Sequence, residues 1–77
     1  MTDAELEQAA RELIDDLREL RHTRGITQTQ VATRMRTSAS NVSSYENHRR
    51  TPGITVLLKY ADAIGADITF ITRRSGR

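Results

Sequence analysis

The sequence predicts a mainly α-helical domain of four or five helices followed by one short C-terminal strand. Three observations predict it. Apolar residues recur at helical spacing from Leu6 to Ile64. Cap-forming residues, Thr2, Thr27, Ser38, Gly25 and Gly65, stand where that spacing starts and stops. After Gly65 the period changes, and Asp67–Arg73 becomes β-branched and aromatic. At 77 residues the chain is one small domain, near the lower end of what folds without a metal or disulfide.

Thr2 opens a capping box with Glu5 three residues on. Leu6, Ala10, Leu13, Ile14, Leu17 and Leu20 then form one apolar stripe, so the first helix is long, amphipathic and ends near Arg24. Gly25 suits the left-handed conformation that closes a helix. Arg21, His22 and Arg24 fall in the last turn, where positive charge complements the helix dipole.

Thr27 and Gln30 make a second capping box. The second helix runs from Gln28 to about Met35 and buries Val31, Ala32 and Met35. Ser38 caps a third helix, from Ala39 to about Asn47. Only Val42 and Tyr45 are apolar there, among Ser40, Asn41, Ser43, Ser44 and Asn47. Its intrinsic propensity is poor, so it depends on docking Val42 and Tyr45 on the core. Thr51-Pro52-Gly53 is a break. A fourth helix, Ile54 to Ile64, buries Val56, Leu57, Tyr60, Ala61 and Ile64 and is closed by Gly65. The chain thus divides into a helical domain over 1–66, with two short turn-linked helices at 28–47, and a strand over 67–74. Ser75-Gly76-Arg77 is a frayed tail.

The net charge of +2 conceals an asymmetry. Residues 1–20 carry seven acids and two arginines, a balance of −5; residues 21–77 carry ten bases and three acids, a balance of +7. Eleven of the twelve bases are arginine, the residue best suited to bidentate phosphate contact. A solvated arginine-rich surface is the plainer alternative. The third helix adds to the first reading, because a small, polar helix almost free of acids can lie in the major groove of DNA.

Other classes fit less well. No cysteine is present, which excludes disulfides, thiol catalysis and cysteine zinc sites, and two histidines do not make a metal site. No apolar run approaches a membrane span and no signal-peptide pattern opens the chain, so a soluble cytoplasmic protein is expected. No enzyme activity and no cofactor are expected. No nucleophile–base pair is legible, and the adjacent Asp15 and Asp16 point in different directions on a helix. Single-stranded RNA binding needs exposed aromatics; Tyr45 and Tyr60 occupy core positions, leaving only Phe70.

Arg21 to Ile71 resembles the lambda-repressor-like helix-turn-helix domain of the phage Cro type, the XRE family. The matching residues are Arg24-Gly25-Ile26-Thr27-Gln28, Val31-Ala32, Ser38, Val42-Ser43, Tyr45-Glu46, Arg49-Arg50-Thr51-Pro52, Leu57-Leu58 and Ala61-Asp62-Ala63-Ile64-Gly65. Their order and spacing carry the resemblance. It implies double-stranded DNA as partner and the third helix as the one that reads bases. Ala39, Ser40, Asn41 and Ser44 would face base edges; the plainer alternative is a small polar surface. Gln28, at the start of the second helix, would grip phosphate together with nearby backbone amides. Asn47, Arg49 and Arg50 would clamp phosphates after the third helix, joined by Arg36, with Arg34 and Arg21 as weaker candidates. Glu46, an acid unsuited to a DNA surface, is expected to pair with an arginine inside the fold.

Two departures from the family pattern stand out. Arg36 and His48 occupy positions where the family has glycine. Either those turns differ here, or the chain tolerates a left-handed side-chain residue at roughly 1 kcal/mol each. The fourth helix followed by a strand, Ile64-Gly65-Ala66-Asp67-Ile68-Thr69-Phe70-Ile71, resembles the C-terminal end of HipB-type antitoxins. It implies a homodimer through Ile68 and Phe70. It also keeps a second function open, an antitoxin that binds a toxin protein and regulates its own operon.

Overall fold

Two capping boxes fix where the first two helices begin. In a computed structural model, which describes residues 1–68, helix α1 spans Asp3–Thr23 and α2 spans Gln28–Met35. Thr2 Oγ1 accepts the Glu5 N–H at 3.1 Å while Glu5 Oε1 accepts the Thr2 N–H at 2.8 Å. Thr27 and Gln30 repeat the exchange at 3.1 and 2.9 Å. Each box satisfies two backbone donors that a helix start otherwise leaves to water. Helix α3 spans Ala39–Glu46, with Ser38 Oγ accepting the Asn41 N–H at 3.1 Å. Helix α4 spans Ile54–Ala63. Gly25 and Gly65 take φ of 67° and 74°, as closing glycines do.

One core joins the four helices. Ile14 and Leu17 from α1 meet Val31, Ala32 and Met35 from α2, Val42 from α3, and Leu57, Tyr60, Ala61, Ala63 and Ile64 from α4 and its cap. Helix α2 packs on α3 and α4, and α1 also contacts both. As its weak propensity requires, α3 is anchored by the buried Val42, with Tyr45 half-buried against the core.

The core ends sooner along α1 than the apolar stripe does. Leu6 is 53 % exposed, Ala10 and Leu13 are half-buried, and full burial begins at Ile14. Periodicity shows which face is apolar, not how far the neighbours reach. Val56 is half-buried rather than buried, and Ala63 joins the core instead. Two charged side chains, Arg21 and Glu46, are buried.

Two arginines close α4 from outside it. The helix has no basic residue in its last turn. Arg34 Nη1 donates to the Ala63 carbonyl at 2.7 Å and Arg24 Nη1 to the Ile64 carbonyl at 2.6 Å. They supply the positive charge and donors that a helix C-terminus calls for.

The strand expected over 67–74 falls almost wholly outside the described residues, as does Phe70. Of its residues, Ile68 is half-buried and packs against the core, and no strand occurs among the described residues. Among those residues no helix is long and apolar enough to cross a membrane.

Candidate nucleic-acid interface

Helix α3 is held between two left-handed turns. Arg36 caps α2 at φ 60°, ψ 46°, and its N–H bonds Thr33 O at 3.2 Å while Thr37 N–H bonds Ala32 O at 2.9 Å. His48 follows α3 at φ 61°, with bonds from His48 N–H to Tyr45 O at 3.1 Å and from Arg49 N–H to Ser44 O at 2.9 Å. Both turns therefore keep the glycine-type geometry and carry the strain of a side chain there. At His48 a contact offsets part of it: Nε2 lies 2.7 Å from Asp15 Oδ1 on α1. That pair is substantially exposed and contributes at most about 1 kcal/mol, the same order as the strain.

The far end of α3 is fixed by a single carboxylate that touches all four helices. Glu46 Oε2 accepts from Arg21 Nε at 2.9 Å and from the Tyr60 hydroxyl at 2.5 Å. Its Oε1 accepts from Arg21 Nη2 at 2.9 Å and from Gln28 Nε2 at 3.0 Å. Arg21 Nη1 reaches the Ile26 carbonyl at 2.8 Å, and Arg18 Nε stands 3.6 Å from Oε1. Burial pushes the Glu46 carboxyl up, but the bonds from Arg21, Tyr60 and Gln28 outweigh it and hold the group below its usual range. Burial, then the Glu46 bond and charge, hold the Tyr60 phenol well above its usual value. Burial works against the Arg21 charge, and Glu46 more than restores it. The orientation of α3 is thus locked by a buried charge network as well as by Val42.

The network accounts for one sequence expectation and corrects another. Glu46 does pair inside the fold. Arg21, read as a weaker phosphate contact, is its buried partner and is withdrawn from the DNA surface. Nothing near it in sequence announces this, because the two residues are 25 apart. Arg34 spends one guanidinium nitrogen on the end of α4.

The remaining candidates divide by exposure. Ser40 is exposed, and Asn41 and Ser44 are half-buried on α3. Ser44 Oγ donates to the Ser40 carbonyl at 3.0 Å, a local back-bond within the helix. Ala39 is half-buried and packs its methyl against the core. Gln28 turns its amide nitrogen inward onto Glu46 and the Gln30 N–H is taken by Thr27, so the anion donors left at that end are the backbone amides of Gln28 and Thr29. Arg36 stands exposed before α3, and Asn47, Arg49 and Arg50 stand exposed after it. Asn47 Nδ2 donates to Ser43 Oγ at 3.0 Å. Arg50 lies over the Tyr45 ring, 5.1 Å from its centroid.

The result is a small polar helix carrying no exposed acid, with arginines on the turns at both ends. Such a surface can put base-reading side chains in a groove while cations meet the phosphates on either side. The description of a helix-turn-helix domain matches residues 12–69, which include α2, α3 and the turn between them. No curated protein and no solved structure matches the chain. With three-quarters of its length covered by that description, the chain belongs to the helix-turn-helix domain family of DNA-binding proteins.

Proposed function

We propose that the protein is a sequence-specific regulator of transcription of the lambda-repressor-like, XRE type, a repressor that binds a palindromic operator as a homodimer in the cytoplasm. The observation that carries the reading is α3 itself. It exposes Ser40, with Asn41 and Ser44 half-exposed beside it, and its one acid, Glu46, is buried and neutralised by Arg21. A helix so arranged offers base edges short donors and acceptors and turns no acid toward the phosphates. Ala39, Ser40, Asn41 and Ser44 are assigned to base edges. The amides beginning at Gln28, with Arg36, Asn47, Arg49 and Arg50, are assigned to the backbone.

Dimerisation is assigned to the segment 67–74 through Ile68 and Phe70, since a lone strand leaves its backbone groups unpaired and a second copy supplies them antiparallel. Footprinting tests the whole reading. Two protected half-sites on one face of the duplex, about 34 Å apart, are expected. Truncation after Asp67 should give a monomer by sedimentation and much weaker binding, because two linked contacts become one. Protection of single, unpaired half-sites would overturn the dimeric reading. The antitoxin alternative rests on the same segment, and a toxin-kinase gene beside this one would favour it.

A further inference from the structure

The Arg50 side chain runs back along α3 instead of away from it. The Arg50 backbone N–H donates to the Ser44 carbonyl at 3.3 Å, and the guanidinium lies over the Tyr45 ring. From there Nη1 reaches to 3.4 Å from Asn41 Oδ1. On the opposite side Asn41 Nδ2 donates to Thr37 Oγ1 at 2.8 Å. The amide of Asn41 is therefore bracketed, oxygen toward Arg50 and nitrogen toward Thr37.

A side-chain amide can turn over with almost no change of shape, exchanging its oxygen and nitrogen. The two orientations offer a base edge opposite patterns of donor and acceptor. Thr37 does not choose between them, because a hydroxyl both donates and accepts. Arg50 does choose. A guanidinium has five donors and no acceptor, so a reversed Asn41 would set its amide hydrogens against it. Stacking on Tyr45 holds the guanidinium in place to enforce the choice. Once both bonds are made, Asn41 keeps one N–H and one carbonyl lone pair. Those are the two groups that a bidentate contact with N7 and N6 of adenine requires.

We infer that Arg50 is a positioning residue for specificity. It fixes Asn41 in one amide orientation and so commits α3 to an adenine edge at the base facing Asn41. The inference rests on the reading of α3 as the base-reading helix.

The test is selection of bound duplexes from a randomised library by the wild-type chain, Asn41→Ala, Arg50→Lys and the double variant, each first checked for an unchanged melting transition. Lysine keeps the charge for any phosphate contact but lacks the planar fork and the stack. The wild type should enrich a motif with an adenine at one position, preferred about tenfold over other bases. Arg50→Lys should flatten that position as far as Asn41→Ala does, leave the relative base preferences at the other positions unchanged, and add nothing in the double variant. A wild-type motif retained in full by Arg50→Lys, one without the adenine, or a uniform weakening at all sequences with the adenine preference intact overturns the inference and leaves the DNA-binding reading standing. No enriched motif from the wild type overturns both.

Discussion

Arg21 on α1 and Glu46 at the end of α3 meet side by side, with Nε 2.9 Å from Oε2 and Nη2 2.9 Å from Oε1. Both are buried, and Tyr60 and Gln28 complete the coordination of the carboxylate. The helix proposed to read DNA is thus attached to the other three by one charged group.

Removing one partner leaves the other buried and unpaired. Glu46→Ala should cost about 3–5 kcal/mol, a large share of the stability of a domain this small. Replacing both partners with apolar residues, as in Arg21→Met with Glu46→Leu, should cost less than either single change. Urea unfolding measures this. A loss below about 1 kcal/mol for Glu46→Ala would show that the pair does not hold the helices together.

The same network sets the pH dependence. The folded Glu46 carboxyl sits below its unfolded value, so its contribution is complete above about pH 4.3 and is lost as pH falls through the folded pKa. The Tyr60 phenol sits above its unfolded value, so its contribution is complete below about pH 10 and is lost as pH rises through the folded pKa. Stability should form a plateau between these limits. In Glu46→Gln the acid limb should flatten, leaving a residual slope from Glu5, which the backbone and side-chain bonds of Thr2 hold below its usual range. An acid limb of undiminished steepness in Glu46→Gln would assign it to other carboxylates.

Strain and binding should trade against each other at Arg36. With φ at 60°, Arg36→Gly removes the left-handed penalty and should stabilise the domain by about 1 kcal/mol. If Arg36 contacts phosphate, the same change should weaken binding to all sequences and lower the salt slope by about one. Melting curves and salt titrations of this one variant report both terms. A variant neither more stable nor weaker in binding would remove Arg36 from both roles.

The arginines should separate into two kinds. Arg34, bonded to the end of α4, should on mutation to Ala lower stability by about 1 kcal/mol and leave the salt slope unchanged. Arg49, exposed beyond α3, should leave stability unchanged and lower the slope by about one. The opposite pattern in paired unfolding and binding experiments would reverse the assignment.

The helices were legible because their signals are local. Thr2 with Glu5, Thr27 with Gln30 and Ser38 each lie within one turn of what they cap. The unread features join distant positions. Arg21, the arginine that Glu46 was expected to find, meets it only once the helices have packed, as do Asp15 and His48, and Arg24 and Ile64. Leu6 shows the same limit, since its apolar spacing is real but nothing among the described residues lies over it closely enough to bury it. At the candidate interface the residue types were readable, whereas their orientations were not. Gln28 turned inward and Arg50 turned along α3 because of partners 18 and 9 residues away.

The central claim is that α3 lies in the major groove of a specific duplex. The chain has no cysteine, so Ser40→Cys gives one attachment point for a DNA-cleaving iron chelate on the exposed start of α3. On the selected operator, cuts should cluster inside each half-site, at the base pairs that α3 faces. Cuts confined to the flanking DNA, or spread evenly along it, would contradict the claim.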